Sequence, residues 1–147
     1  MSNRTSSKFY RSRSPQMRTE TFVPDALSFF VGSLVGQDVS SGKVKRWSDT
    51  SGANLRFKGV SMSELTGDGS TKNLIVDIGG SKLLGVAVAG STVAGVPVYC
   101  ASDNPDDLTI TPTTNAKRVG SINQWRSASD CDVQLLTPGE YLGVLLP

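Results

Sequence analysis

Residues 72–90 read KNLIVDIGGSKLLGVAVAG, and this stretch indicates the fold class more clearly than any other. It contains two apolar runs of strand length, and Gly79-Gly80 separates them. Glycine permits the positive backbone φ angles that a tight turn needs. The pattern predicts two strands joined by a hairpin turn, and GDGS at residues 67–70 predicts a second hairpin turn. Neither glycine pair fits the spacing of a phosphate-binding loop, which would have to open a helix.

The rest of the chain from residue 27 repeats this pattern. About nine or ten short runs alternate with turn segments, at the spacing of sandwiches and barrels. No long run has a helical period, and Ser91 or Thr92 would cap a single helical turn within residues 90–98. We therefore predict an all-β fold, a small β-sandwich or β-barrel-like body of short strands. The predicted strands are LSFFVGSLVG, GKVKRW, LRFKGVSM, KNLIVDIGG, KLLGVAVAG, GVPVYCA, DLTIT, KRVGSINQW, CDVQLL and EYLGVLL.

The N-terminal residues differ from this body. They are rich in Ser, Arg and Thr, show no apolar period, and cannot bury enough surface to offset their own ordering entropy. We predict an extended basic arm over residues 1–26, ordered by a neighbouring chain, and a β-rich domain over residues 27–147. Charge divides the chain similarly. Residues 1–18 hold five basic residues and no acid, whereas the other 10 basic and 13 acidic residues leave residues 19–147 at −3.

Several kinds of chemistry have no support in the composition. The chain has no histidine, which removes the commonest general base, the commonest metal ligand and every Ser-His or Cys-His nucleophile pair. Cys100 and Cys131 do not make a zinc site without further ligands. We expect them to be small buried residues in neighbouring strands, bonded only if their Cα atoms lie within about 7 Å. No catalytic, cofactor or metal site is predicted, and we do not expect an enzyme.

An acidic cluster surrounds Pro105 in DNPDDL and allows three interpretations. A calcium loop would need a central glycine and a closing acid, which this stretch lacks. Asp106 and Asp107 are adjacent, so in an extended segment they point to opposite faces and make a poor catalytic pair. We therefore predict a turn, which Asp103 and Asn104 favour. Its charge would keep the loop solvated or would face the basic arm of a neighbouring subunit.

The composition of the arm allows two kinds of partner. KFYRSRS interleaves arginine with aromatic residues, as single-stranded nucleic-acid binders do, and would grip phosphates in a salt-dependent way. The same side chains are enriched at protein-binding hot spots, and an acidic neighbouring subunit would attract them. We favour a protein partner and keep a nucleic-acid-binding accessory protein as the alternative. The residues predicted to form the contact are Lys8, Phe9, Tyr10, Arg11, Arg13 and Arg18.

The order of the body segments resembles one protein family. FFVGSLVGQD is followed by WSDT, by FKGV, by a glycine-rich middle, by GSTVAGVPVYCASDNPDDLTIT and by AKRVGSINQWRSASDCDVQLL. Over roughly residues 28–137 this order is similar to that of the small head decoration, or cement, proteins of tailed bacteriophages. The arm lies outside the resemblance.

The resemblance implies a structural protein on the outside of an icosahedral capsid. It implies binding to the major capsid protein, self-association as a trimer or dimer, and a location on the virion exterior after synthesis in the host cytoplasm. Trp47 and Trp125 are candidates for the oligomer contact or for the core. No apolar run approaches the length of a membrane helix, so we expect no membrane contact.

Overall fold

The computed structural model describes residues 3–7, 12–13, 18–49, 55–113, 115 and 117–145, and the fold within them is all-β. Apart from the strands, this part of the chain contains one 3₁₀ turn, Pro105–Asp107, and one α-helix, α1 (Pro138–Leu145). The strands are β1 Ser12–Arg13, β2 Thr19–Phe22, β3 Ser28–Phe29, β4 Leu34–Asp38, β5 Val44–Arg46, β6 Leu55–Ser61, β7 Leu65–Thr66, β8 Leu74–Asp77, β9 Lys82–Val86, β10 Pro97–Tyr99, β11 Arg118–Ser127 and β12 Asp130–Leu135.

The strands form three antiparallel sheets. We call the sheet of order β1-β9-β12-β11-β10 the front sheet and the sheet of order β2-β8-β6-β4-β5 the middle sheet. The third is a ribbon of β3 and β7. The predicted all-β fold is confirmed, although the predicted strand DLTIT contributes only isolated bridges at Thr109.

The middle sheet is buried on both faces. Leu34 and Val35 are adjacent in β4 and fully buried, yet they belong to two different apolar clusters. This alternation is what a strand with period 2 produces when both of its faces are covered. One cluster lies between the middle and front sheets and includes Phe57, Val60, Leu83, Ile122 and Val133. The other lies between the middle sheet and the ribbon and includes Phe29, Val44, Leu74, Val76 and Ile78.

The Gly79-Gly80 turn joins two sheets and does not close a hairpin. β8 lies in the middle sheet and β9 in the front sheet, so the hairpin prediction is wrong. The buried carboxylate of Asp77 holds the turn, because it accepts hydrogen bonds from the Gly79 N–H at 3.0 Å and the Ser81 hydroxyl at 2.5 Å. Gly80 has a φ of 77°, which favours glycine there.

The second predicted hairpin, at GDGS, is also wrong. β7 pairs with β3, whereas β8 pairs with β2 and β6. The Asp68 side chain instead accepts hydrogen bonds from the N–H groups of Ser70 at 3.0 Å and Thr71 at 2.8 Å. Asp68 thus turns the chain locally without fixing which strand follows.

The C-terminal run EYLGVLL, predicted as a strand, lies in helix α1. Two reciprocal bonds begin the helix: the Thr137 N–H donates to Glu140 Oε1 at 2.9 Å, and the Glu140 N–H donates to Thr137 Oγ1 at 3.2 Å. This is a capping box, formed by Thr137-Pro138-Gly139-Glu140, with proline at the first helical position where no N–H is needed. The fully buried Tyr141 then packs on the core.

Trp47 connects the two large sheets and the helix. Its ring is fully buried, and its indole N–H donates to the carbonyl of Cys100 at 2.8 Å. It meets Phe57 of β6 edge to face at a centroid distance of 5.3 Å and Tyr141 of α1 at 5.9 Å. A Cβ on Gly36 would lie 3.1 Å from the indole, so the β4 backbone is packed directly against it. Trp47 is therefore a core residue and not an oligomer contact.

Two strands lie within residues 1–26, the segment expected to be an extended arm. β1 pairs with β9 at the edge of the front sheet, and β2 pairs with β8 along its full length at the edge of the middle sheet. The middle sheet therefore begins at residue 19, and the chain before it touches the front sheet at Ser12–Arg13.

Trp47→Ala should lower the free energy of unfolding by about 3–5 kcal/mol, because it removes a buried ring and the donor to the Cys100 carbonyl. Trp125→Ala is the matched control, since that ring is 36% exposed and should cost far less. Urea unfolding followed by far-UV circular dichroism measures both. A loss at position 47 no larger than the loss at position 125 would contradict the connecting role of Trp47.

Candidate functional site

A short N-terminal segment, residues 3–7, is docked against the acidic turn. Arg4 is only 6% exposed. Its backbone N–H donates to Asp103 Oδ1 at 3.0 Å, and its guanidinium donates to Asn104 Oδ1 at 3.1 Å and to the Ser6 carbonyl at 3.0 Å. The contacts with Asp103 and Asn104 join residues far apart in sequence. We call residues 3–7 the docked segment.

Ser7 holds the other end of the docked segment. Its hydroxyl donates to Glu64 Oε2 at 2.6 Å and accepts from the Val31 N–H at 3.2 Å. Val31 lies between β3 and β4, and Glu64 immediately precedes β7. We call the four body residues that receive the docked segment, Val31, Glu64, Asp103 and Asn104, the arm socket.

The acidic stretch of the socket is a turn, as predicted. The Asn104 side chain accepts from the Asp106 N–H at 3.1 Å and so caps the 3₁₀ turn Pro105–Asp107. Backbone bonds of 2.8 and 3.0 Å between Tyr99 and Thr109 close the loop. The turn therefore presents Asp103 and Asn104 in a fixed conformation.

Asp103 is fully buried, so the expectation that the charge of this turn is solvated is wrong for Asp103, whereas Asp106 is exposed. Its carbonyl accepts from the Leu34 N–H at 2.9 Å, which ties the turn to the middle sheet. Burial raises the pKa of the Asp103 carboxyl above its ordinary value, although the Arg4 N–H and the charge of Arg46 favour the ionised form. Its Oδ2 has no hydrogen-bond partner among the described residues. The residue of the basic arm that contacts Asp103 is Arg4 of the same chain.

The six predicted arm residues are not all in the described part of the chain. Lys8, Phe9, Tyr10 and Arg11 lie outside the described residues. The remaining two, Arg13 and Arg18, lie beside different sheets.

Arg13 is in β1, opposite Lys82 of the front sheet. Arg18 is exposed beside the middle sheet, and its backbone carbonyl accepts a hydrogen bond from the Ile78 N–H at 2.8 Å. With Glu20, Lys58 and the start of α1, Arg18 lines an open cavity of about 510 Å³.

Trp125 keeps part of its surface free, since its ring is 36% exposed. Its indole N–H donates to Ser91 Oγ at 3.3 Å. The Ser91 hydroxyl in turn donates to the carbonyl of Val88 at 2.7 Å. Ser91 therefore anchors the ring of Trp125 and caps no helix, and the helical turn predicted at residues 90–98 is wrong. Trp125 as an oligomer contact stays a prediction.

Both cysteines are buried and unbonded. Cys100 follows β10 and Cys131 lies in β12, and β11 separates these two strands, so the expectation of neighbouring strands is wrong. Burial raises the pKa of the Cys100 thiol to about 12, which leaves it as an unreactive thiol at neutral pH.

Two structural features are absent from the described residues. No group of three or more Cys, Asp and Glu side chains in this part of the chain is placed to hold a metal ion. In the same residues, no helix has the length and apolar character that crossing a membrane requires.

No protein-family model, no curated protein and no solved structure matches this chain.

Sequence reasoning missed the role of Arg4. It treated the arm as one basic segment and selected the residues near its aromatic side chains. The available signal was charge, because the acidic turn and the basic arm lie on one chain and attract each other. Charge alone could not single out Arg4, since the hydrogen bonds to Asp103 and Asn104 depend on the folded turn.

Asp103→Asn should stabilise the protein near neutral pH relative to the native chain, and the advantage should shrink in acid. The folded-state pKa of Asp103 is raised, so its contribution to stability is present below the ordinary carboxyl pKa and is lost as the pH rises through the raised value. Asparagine keeps an acceptor for the Arg4 N–H and does not titrate. The free energy of unfolding at about pH 4 and about pH 7 measures this difference.

Two control variants make this test specific. Asp103→Ala removes the acceptor and should destabilise the protein at both pH values, by about 1–3 kcal/mol. Asp106→Asn alters an exposed acid of the same turn and should have little effect. A stability difference between Asp103→Asn and the native chain that does not change with pH would contradict the burial of this charge.

Proposed function

We propose that this protein is a structural virion protein that binds the outer surface of an icosahedral phage capsid. It stabilises the capsid by bridging neighbouring major capsid protein subunits. The proposal is supported by the resemblance of residues 28–137 to head decoration proteins and by an all-β body that carries a basic N-terminal segment.

The observation that carries the proposal is the anchoring of the chain on both sides of residues 8–11. Ser7 is bonded in the arm socket, and Ser12–Arg13 pair with β9. A segment tied at both ends loses less conformational entropy on binding than a free tail does. The four residues between these anchors are KFYR, which combine two aromatic rings with two positive charges. Aromatic and arginine side chains dominate the energy of protein interfaces.

The effect on the capsid follows from mass action. A protein that binds only the assembled shell shifts the equilibrium toward that shell. Many copies on one surface act together, so weak individual contacts add to a strong total effect. Self-association as a trimer or dimer would increase this further, and the ring of Trp125, which is 36% exposed, is a surface aromatic that such an association would bury in part.

The combined variant Lys8→Ala, Phe9→Ala, Tyr10→Ala and Arg11→Ala should bind capsids at least about tenfold more weakly, because it removes several hot-spot side chains. Co-sedimentation with shells assembled from the major capsid protein of the same phage measures this. The variant Lys43→Ala with Lys72→Ala removes the same charge from the body and serves as the control. Equal binding by both variants would refute the role of residues 8–11.

The alternative, a nucleic-acid-binding accessory protein, makes a different prediction. It requires measurable DNA binding that weakens steeply with salt. Arg4, one of the five arm cations, is buried against the turn and presents little charge to a phosphate. We therefore expect no binding in a DNA titration at about 0.15 M salt. Tight, salt-sensitive binding that is lost with the four arm substitutions would favour the alternative.

A further inference from the structure

We propose that, in the homo-oligomer, the arm socket receives the docked segment of a second copy of the chain. The inference rests on the self-association included in the proposed function and names the contact that would produce it. Each copy then gives residues 3–7 to a neighbour and receives the same segment from a neighbour.

The contacts themselves allow this exchange. The body residues that bind the docked segment are Val31, Glu64, Asp103 and Asn104, which belong to loops between strands of the body. These bonds involve neither β1 nor β2, the elements that attach the rest of the arm. The same bonds can therefore form with a segment that arrives from another copy. Exchange of an identical element between copies has little energetic cost, because every contact made within one chain is remade between two.

Charge favours the association of one copy with the next. Residues 1–18 carry five positive charges and no acid, whereas residues 19–147 carry a net −3. The socket contains Asp103 and Glu64, and the adjoining turn adds Asp106 and Asp107. The attraction between segment and socket acts equally within and between copies, so two copies present complementary surfaces to each other.

The connection between the docked segment and β1 limits where the second socket can lie. Four residues separate Ser7 from Ser12, so these two positions are at most about 18 Å apart in an extended chain. A receiving socket must therefore lie next to the β1–β9 edge of the front sheet of the donating copy. The β1–β9 edge of one copy then contacts the arm socket of the next copy. Contacts of this kind, between two different surfaces of the same subunit, produce closed rings.

Local concentration determines which form prevails. Within one chain the short connection keeps segment and socket close together, and within a homo-oligomer the socket of a neighbouring copy lies equally near, so exchange does not require a capsid. Exchange then links each copy of the oligomer to a neighbour through its docked segment.

A disulfide placed across the contact tests the exchange directly. Ser7 Oγ lies 3.2 Å from the backbone nitrogen of Val31, so the Cα atoms of the two residues are at most about 7 Å apart, the upper limit for a disulfide. A size-tagged Ser7→Cys chain is unfolded and refolded together with an untagged Val31→Cys chain and then oxidised. Exchange predicts a disulfide-linked heterodimer. The native chain, whose two cysteines are buried, gives the background.

The control replaces Val31→Cys with Ser40→Cys, an exposed position in the turn between β4 and β5. Exchange predicts at least about tenfold more heterodimer with position 31 than with position 40, because the contact raises the local concentration of the two thiols. Equal yields would overturn the proposal. So would a Ser7→Cys, Val31→Cys double variant that closes only within monomers.

A second measurement does not depend on the cysteine variants. Deleting residues 1–7 from the native chain should convert the oligomer to monomer at a concentration where the full chain is associated, as measured by sedimentation velocity. An oligomer that persists unchanged would overturn the exchange. Neither experiment uses a capsid, so a failure here is distinct from a failure of the proposed capsid binding.

Discussion

The buried hydrogen bond from the Trp47 indole to the Cys100 carbonyl is the contact on which the rest of the structure depends. Trp47 follows β5 of the middle sheet, and Cys100 follows β10 of the front sheet, so a single side chain joins the two layers. An indole N–H buried without an acceptor would cost free energy, which favours one relative position of the sheets. The edge-to-face contacts with Phe57 and Tyr141 add the helix to the same centre.

This contact also positions the candidate site. The acidic turn begins directly after Cys100, and further backbone bonds attach it to β4, from Leu34 to Asp103, and to the chain that follows β5, from Asp49 to Ala101. Asp103 therefore lies between the core, to which its backbone is bonded, and Arg4, which covers it on the other side. The Asp103 carboxylate stabilises the docked segment through its hydrogen bond with the Arg4 N–H, but burying the carboxylate costs desolvation free energy. The position of this hydrogen bond therefore contributes as much to the docking as the attraction between charges does.

Local sequence patterns predicted the parts of the fold that local physics determines. The runs that became β4, β5, β6, β8, β9, β10, β11 and β12 were predicted because β-branched residues in alternation fit a half-buried or fully buried strand. The turn at Pro105 was predicted because asparagine and proline favour it through their own backbone. The helix α1 was missed although Thr137 and Glu140 form a capping box, because its apolar run also fits the period of a buried strand.

The errors concern long-range pairing. The Gly79-Gly80 turn looks the same whether the next strand pairs with the previous one or crosses to another sheet, and the two apolar clusters decide between these outcomes. The docking of Arg4 depends likewise on residues about a hundred positions away, and no local pattern encodes that distance.

The proposed capsid binding is tested most directly by a cryo-EM reconstruction of phage capsids incubated with this protein. If residues 8–11 are the adhesive segment, the map will show continuous density from the docked segment to β1 on the capsid exterior, with KFYR against two neighbouring major capsid protein subunits. A map in which the body sits on the capsid while residues 8–11 face solvent would contradict that assignment.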